Sequence, residues 1–201
     1  MTGGAMTMRV LLLGSLLVAS AGVALAAVKP LPKFDRVMAM DTPRAVGDLA
    51  MTDQDGEPRR ISDLAGAPTL VFFGFTNCPE ICPTTLQQLA LIKSSRAKDL
   101  AGLRIAFISV DGERDTPAVM KEYLKRFPAE FVGLTAPAEQ VRNLALRFSA
   151  PFFKDPPKDG DYAVQHSSRL FALDRQGRLR AEIYDASPEA VVGIGRALLA
   201  E

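Results

Sequence analysis

Residues 67–75 read Ala-Pro-Thr-Leu-Val-Phe-Phe-Gly-Phe, an apolar run without alternation, rich in β-branched and aromatic side chains. That is the pattern of a strand buried on both faces, because a strand with one wet face alternates apolar and polar residues. A second run, Leu-Arg-Ile-Ala-Phe-Ile-Ser-Val, occupies 103–110. Between them, from Pro83 to about Ala97, Leu86, Leu89, Ala90 and Ile92 recur at helical spacing. Two buried strands joined by a helix require covering layers on both sides of a sheet.

The alternation continues along the chain. Short strands near Asp48 to Thr52 and Arg59 to Ser62 flank a turn signal from Asp53 to Gly56 and predict a hairpin. Thr116 to Phe127 reads as a helix capped by Asp115 or Thr116, with Pro117 in the first turn, where its missing N–H does no harm. Phe131 to Ala136 gives a short third strand, and Pro137 to Ser149 a helix with Val141, Leu144, Ala145 and Phe148 on one side. A loop rich in proline and charge runs from Ala150 to about Asp161. Strands from Ala163 to Asp174 and from Leu179 to Asp185 bracket a tight hairpin at Arg175-Gln176-Gly177, and Ser187 caps a last helix through Leu199. This order predicts an α/β fold: a thioredoxin-like three-layer sandwich, helices on both faces of a mixed sheet, with an N-terminal β-hairpin.

The 201 residues carry a formal net charge of +1. One domain of ordinary size fits that length once a targeting segment is set aside. Near-zero charge argues against a nucleic-acid partner, which needs a clustered basic face. Arg9 precedes an apolar run from Val10 to about Ala27, and Ala24-Leu25-Ala26 forms a small-x-small cleavage pattern. The rival to a cleaved signal is an uncleaved anchor, since a run of roughly 18 apolar residues just spans a bilayer. Gly, Ser and Ala dilute the run and favour cleavage. The expected organisation is 1–27 as signal peptide or membrane anchor, 28–45 as a linker with three prolines, and 46–201 as the folded domain. Either reading places the domain in the periplasm, or on the outer face of the cytoplasmic membrane. In that oxidising compartment a cysteine pair idles as a disulfide unless something reduces it.

The chain holds two cysteines, Cys78 and Cys82, and one histidine, His166. Two thiolates and one imidazole make a soft donor set that suits copper, while the cysteines alone suit a redox dithiol. A plain stabilising disulfide is a poor alternative, because so short a loop constrains the unfolded chain little. The residue before a proline is pushed from helical dihedrals, so Pro83 predicts that Cys82 is the last non-helical residue and Pro83 the first helical one. Both cysteines are then expected on the loop between a buried strand and a helix N-terminus, where free amides favour the thiolate. His166 falls at the opening of a later strand, which the topology places beside the strand leading to the cysteines. Structural zinc normally takes four protein ligands, and the sequence offers no fourth soft donor. Asp111 either approaches the site from the end of its strand or caps the turn from Arg114 to Thr116. Phe152 and Phe153 serve either loop packing or a partner-docking edge.

The stretches Phe-Phe-Gly-Phe-Thr-Asn-Cys-Pro-Glu-Ile-Cys-Pro from Phe72, Phe-Ile-Ser-Val-Asp-Gly-Glu-Arg-Asp-Thr-Pro from Phe107, and Asp-Tyr-Ala-Val-Gln-His-Ser-Ser-Arg-Leu from Asp161 occur in that order. Together they resemble the SCO/SenC family of copper-binding, thioredoxin-fold proteins. The resemblance implies that Cys78, Cys82 and His166 bind one copper ion per domain. It implies a metallochaperone for the dinuclear copper centre of cytochrome c oxidase, or a thiol–disulfide oxidoreductase that keeps that centre's cysteines reduced through Cys78 and Cys82. The implied partners are a copper-accepting oxidase subunit, a thiol reductant and an upstream copper donor. Three positions depart from the family pattern. Gln165 stands where Asp usually precedes the histidine, Glu80 replaces Asp between the cysteines, and Gly112 replaces a proline after Asp111, which is expected to loosen that turn. A thiol peroxidase fits less well, because Pro-Thr-Thr follows both cysteines instead of preceding one.

Overall fold

The computed structural model describes residues 1–2, 28–127, 131–158 and 161–201; the predicted export segment at 3–27 lies outside them. The described elements are β1 (Val37–Ala45), β2 (Ala50–Asp53), β3 (Pro58–Arg60), a 3-10 turn (Ile61–Leu64), β4 (Thr69–Gly74), α1 (Ile81–Ser95), β5 (Arg104–Ser109), α2 (Pro117–Leu124), β6 (Val132–Thr135), α3 (Ala138–Arg147), β7 (Phe153–Lys154), β8 (Val164–Gln165), β9 (Leu170–Leu173), β10 (Arg178–Ile183) and α4 (Pro188–Leu199). An eight-stranded sheet runs in the order β1-β10-β9-β4-β5-β6-β2-β3. Strands β4, β5 and β6 are parallel neighbours, and β9 lies antiparallel to β4, with Phe72 opposite Leu170. The two continuous apolar runs therefore occupy the middle of the sheet.

Alternation along β4 sorts its side chains between two cores. Leu70 and Phe72 pack with Leu86 and Leu89 of α1, Met120 of α2 and Ile194 of α4. Val71, Phe73 and Phe75 pack with Val141, Leu144 and Phe148 at α3. The sandwich is thus three-layered, as expected, with three helices on one face and one on the other. Burying each such phenylalanine contributes on the order of 1.5–3 kcal/mol. Thr116 and Ser187 cap α2 and α4 by accepting the Val119 and Ala190 N–H groups, each followed by proline in the first turn.

Three expectations need correction. The segment 28–45 is not irregular throughout: β1 pairs antiparallel with β10, with Val37 opposite Ile183 and Ala45 opposite Arg178. As an outer strand it buries little, only Val37 and Met40 packing on the cores, and Pro43 sits where the register shifts between Ala39 and Arg44. Arg180 also ties down this lead-in, donating to the Lys29 carbonyl at 2.7 Å. The hairpin's second strand ends at Arg60, because Ile61–Leu64 turns to bury Ile61 and Leu64. The strand expected from Ala163 to Asp174 is two pieces, β8 and β9, broken at His166.

Candidate metal centre

Strand β4 ends at Gly74, and the chain turns at once, the Phe75 carbonyl accepting the Cys78 N–H at 3.2 Å. The buried carboxylate of Asp115 fixes this turn from below. It accepts the Thr76 N–H at 3.1 Å, the Thr76 hydroxyl at 2.6 Å and the Ser109 hydroxyl at 2.6 Å. Burial pushes the Asp115 carboxyl above its ordinary value, with these bonds pulling the other way.

Cys82 departs from its expected place. Helix α1 begins at Ile81, so Cys82 and Pro83 both lie in its first turn, and only Cys78 is on the loop. Proline is tolerated there because the first four N–H groups of a helix have no intrahelical partner anyway. Glu80, at the N-cap, makes no side-chain cap; the Cys82 N–H instead donates to Cys78 Sγ at 3.4 Å. The two sulfurs consequently differ. Cys82 is fully buried, whereas Cys78 is partly exposed.

His166 enters from the break between β8 and β9. Its Nε2 lies 3.4 Å from Cys82 Sγ, and its Nδ1 lies 3.0 Å from the Ser167 carbonyl. A proton on Nδ1 satisfies the carbonyl and leaves the Nε2 lone pair aimed at the sulfurs. Phe72 and Phe75 pack against the imidazole, with centroids 6.2 and 5.6 Å away. The donor atoms of Cys78, Cys82 and His166 all lie within 4.8 Å of one another. Both cysteines are free. Hydrogen bonding with the Cys82 side chain and with the Cys82 and Glu80 amides lowers the Cys78 thiol to about 4 despite partial burial. The same pairing, with burial, pushes Cys82 up. The two thiols are thereby driven apart, Cys78 towards the thiolate and Cys82 towards its protonated form.

Gly74 was not singled out from the sequence, yet the site depends on it. A Cβ there would fall 2.7 Å from Cys82 Sγ and 2.7 Å from the Phe107 ring. A glycine closing a buried strand just before the cysteines is the one signal that marks it. Gly112 does not loosen its turn: a Cβ there would meet the Ala136 carbonyl oxygen at 2.0 Å, so the backbones pack directly. Asp111 is not among the converging donors. It is fully buried and accepts the Tyr162 hydroxyl at 2.6 Å and Arg114 Nε at 2.5 Å. Gln165 donates to Asp155 at 3.0 Å. Phe152 packs inside the loop, 1% exposed, and Phe153 is 61% exposed. A groove of about 710 Å³ opens beside Cys78, bounded by Asn77, Pro79, Arg114, Pro156 and Tyr162.

The pattern of the SCO1/SenC family matches residues 38–194, well over half of the chain. The chain belongs to the SCO1/SenC family. A SCO2-like protein of Rickettsia felis is 36% identical over 155 residues, which cover 76% of each chain. The structure of Bradyrhizobium japonicum ScoI with copper bound superposes with a TM-score of 0.69 at 36% identity, over 76% of this chain and 98% of that one. Yeast Sco1 with copper bound gives 0.66 at 33% identity, over 75% and 87%. The family pattern begins at Met38, inside β1, in line with that strand being part of the fold. Among the described residues, no helix is long and apolar enough to cross a membrane.

Proposed function

We propose that this chain is a copper metallochaperone that assists assembly of the dinuclear copper centre of cytochrome c oxidase. The observation that carries the reading is the convergence of two cysteine sulfurs and one imidazole nitrogen within 4.8 Å. Metal bonds of about 2.0–2.3 Å to nitrogen and sulfur separate the donors of a three-coordinate ion by about 3.5–4 Å. The 3.4 Å between Cys82 Sγ and His166 Nε2 is close to that spacing. Soft thiolates select Cu(I), and a structural zinc site would want a fourth ligand. The copper-bound relatives at 33–36% identity support the same ion.

Copper is cargo in this reading, so it has to leave as well as bind. An incoming thiolate reaches the ion from the side of Cys78, the partly exposed ligand, and forms a three-sulfur complex, from which Cys78 then leaves. Cys82, sealed beneath, is the last protein sulfur to release. No electron moves, and the ion stays Cu(I) throughout. Titrating the reduced protein with Cu(I) tests the reading. A one-to-one complex with two sulfurs and one nitrogen by X-ray absorption is expected, weakened at least tenfold by His166→Ala. Absence of that complex, or indifference to the substitution, sinks it.

The unequal sulfurs favour a second activity of the same pair. The Cys78 thiolate attacks a partner disulfide, forming a mixed disulfide and releasing one partner thiolate. The Cys82 thiol then gives up its proton and attacks Cys78, freeing the second partner thiol; two electrons have passed to the partner, and the chain ends as a disulfide. Disulfide reduction that survives His166→Ala identifies this activity. An oxidised pair cannot hold copper, so a thiol reductant and an upstream copper donor complete the cycle. The periplasm, or the outer face of the cytoplasmic membrane, is the compartment these steps need. Arg9, the apolar run and Ala24-Leu25-Ala26 support that location.

A further inference from the structure

We propose that Asp111, Arg114 and Tyr162 form a clamp that positions His166 over the cysteines. The inference rests on the copper reading above and gives a role to residues that touch none of the three ligands. His166 stands on the irregular connection between α3 and β9, whose regular pairing among the described residues is the two-residue ladder of Phe153 with Gln165 and Lys154 with Val164 and a single bridge of Lys158 with Asp161. So short a hairpin has little stability by itself. Something outside the connection has to hold the imidazole 3.4 Å from Cys82.

The holding contacts gather on Tyr162, four residues before His166. Its hydroxyl donates to Asp111 Oδ1 at 2.6 Å, and Asp111 is fully buried after the end of β5. Arg114 closes the ring. Its Nε donates to Asp111 Oδ2 at 2.5 Å, its Nη1 donates to the Tyr162 carbonyl at 3.0 Å, and its guanidinium lies 3.8 Å from the Tyr162 ring centroid. Arg114 also pairs with Asp161 at 2.5 Å, and Lys154 reaches Asp111 at 3.6 Å while bonding Glu113. An arginine whose Nε holds a buried carboxylate and whose Nη1 holds the carbonyl of the tyrosine bonded to that carboxylate has few alternative arrangements. The clamp joins the Asp-x-x-x-Asp-Thr-Pro run to the Tyr-Ala-Val-x-His run. The first is anchored in the sheet; the second carries the ligand.

A positioning role predicts that the clamp matters only through His166, and a double-mutant cycle reads that directly. Tyr162→Phe removes one hydroxyl from a half-buried ring and leaves the fold intact. It is expected to weaken Cu(I) binding about tenfold, the usual size for losing a group that orients a metal ligand. X-ray absorption should show the nitrogen share of the copper shell falling while both sulfurs remain. In the His166→Ala background, Tyr162→Phe is expected to change nothing. An equal loss in both backgrounds, or none in the wild type, overturns the proposal. The metal-free protein gives an independent readout, because its single histidine yields one unambiguous set of imidazole resonances. Those resonances are expected to shift and broaden in Tyr162→Phe, and unchanged resonances also overturn the clamp. If the wild type itself forms no two-sulfur, one-nitrogen complex, the copper reading fails, and the imidazole signals still decide whether the clamp exists.

Discussion

Between Phe75 and Pro83 the chain passes from a central strand straight into a helix, whereas between α3 and β9 it takes a long irregular path and pairs with itself over two residues. The cysteines stand on the first path and the histidine on the second. Cys82 is packed against the sheet, with Gly74 beneath it and Asp115 bracing the preceding turn. The loop that carries His166 is tied by polar contacts to its neighbours: Asp111 and Arg114, distant in sequence, hold Tyr162, and the nearby Arg169 holds Ser167. Arg169 donates to Ser167 Oγ at 2.9 Å and pairs with buried Glu182 at 2.7 Å. A metal site assembled this way has a stiff half and an adjustable half. The first half brings two sulfurs together through local packing; the second brings the nitrogen through contacts between distant segments.

The largest test of that contrast lies within one dipeptide of the histidine's loop. Phe152 is 1% exposed and joins the core that contains Phe73 and Phe148, whereas Phe153 points outward. Truncating a buried phenylalanine costs about 3–5 kcal/mol, and an exposed one within about 0.5 kcal/mol of nothing. Urea denaturation of Phe152→Ala and Phe153→Ala should show that separation. Equal effects would mean that the loop has no apolar pin and depends on its polar clamp alone.

On the stiff side, Gly74→Ala tests whether the strand really sets the position of Cys82. The added methyl would sit 2.7 Å from both Cys82 Sγ and the Phe107 ring, neither at the free end of a flexible chain. Overpacking of this kind costs about 1–3 kcal/mol. We expect lowered stability together with weaker copper binding, since the sulfur has to move to make room. Unchanged stability and affinity would show that Cys82 is less confined than the contrast requires.

What the sequence reveals follows the same division. The strands β4 and β5, the α1 periodicity and the caps at Thr116 and Ser187 are legible because each is local: continuous apolar runs, helical spacing, and Thr or Ser before proline. The cysteine pair was legible for the same reason, although placing Cys82 outside the helix gave the proline's effect on its neighbour too much weight. Packing against Gly74 and the amide bond to Cys78 overrode that preference. β1 was missed because its apolar residues, Val37 to Met40, do not alternate and lead into a polar half broken by Pro43. The tie between Asp111 and Tyr162 spans 51 positions, and no spacing rule connects them. The position of His166 was inferred from strand adjacency, not from anything near it in the chain.

The smallest expected effect concerns the brace under the cysteine turn, and pH separates it from general stability. Burial raises the Asp115 carboxyl above the 3.8 of an ordinary aspartate, outweighing the Ser109 and Thr76 bonds that favour its ionised form. A raised folded value means that the native state holds this proton more tightly than the unfolded chain does. The contribution of Asp115 to stability is therefore full below 3.8 and is lost as pH climbs through the folded value. Asp53 runs the other way. Burial raises its carboxyl, but Arg59 and the amides of Glu57 and Asp55 more than reverse that, so its stabilisation is present above 3.8 and lost in acid. Asp115→Asn keeps an acceptor for Thr76 and removes the titration, at a cost of about 1 kcal/mol near neutrality. The stability difference between wild type and Asp115→Asn should widen in favour of wild type as the pH falls from 7 towards 4. Asp53→Asn should show the opposite trend. A difference that stays flat for Asp115 would place its carboxyl in an ordinary solvated setting, and the turn carrying Cys78 would then be as adjustable as the loop carrying His166.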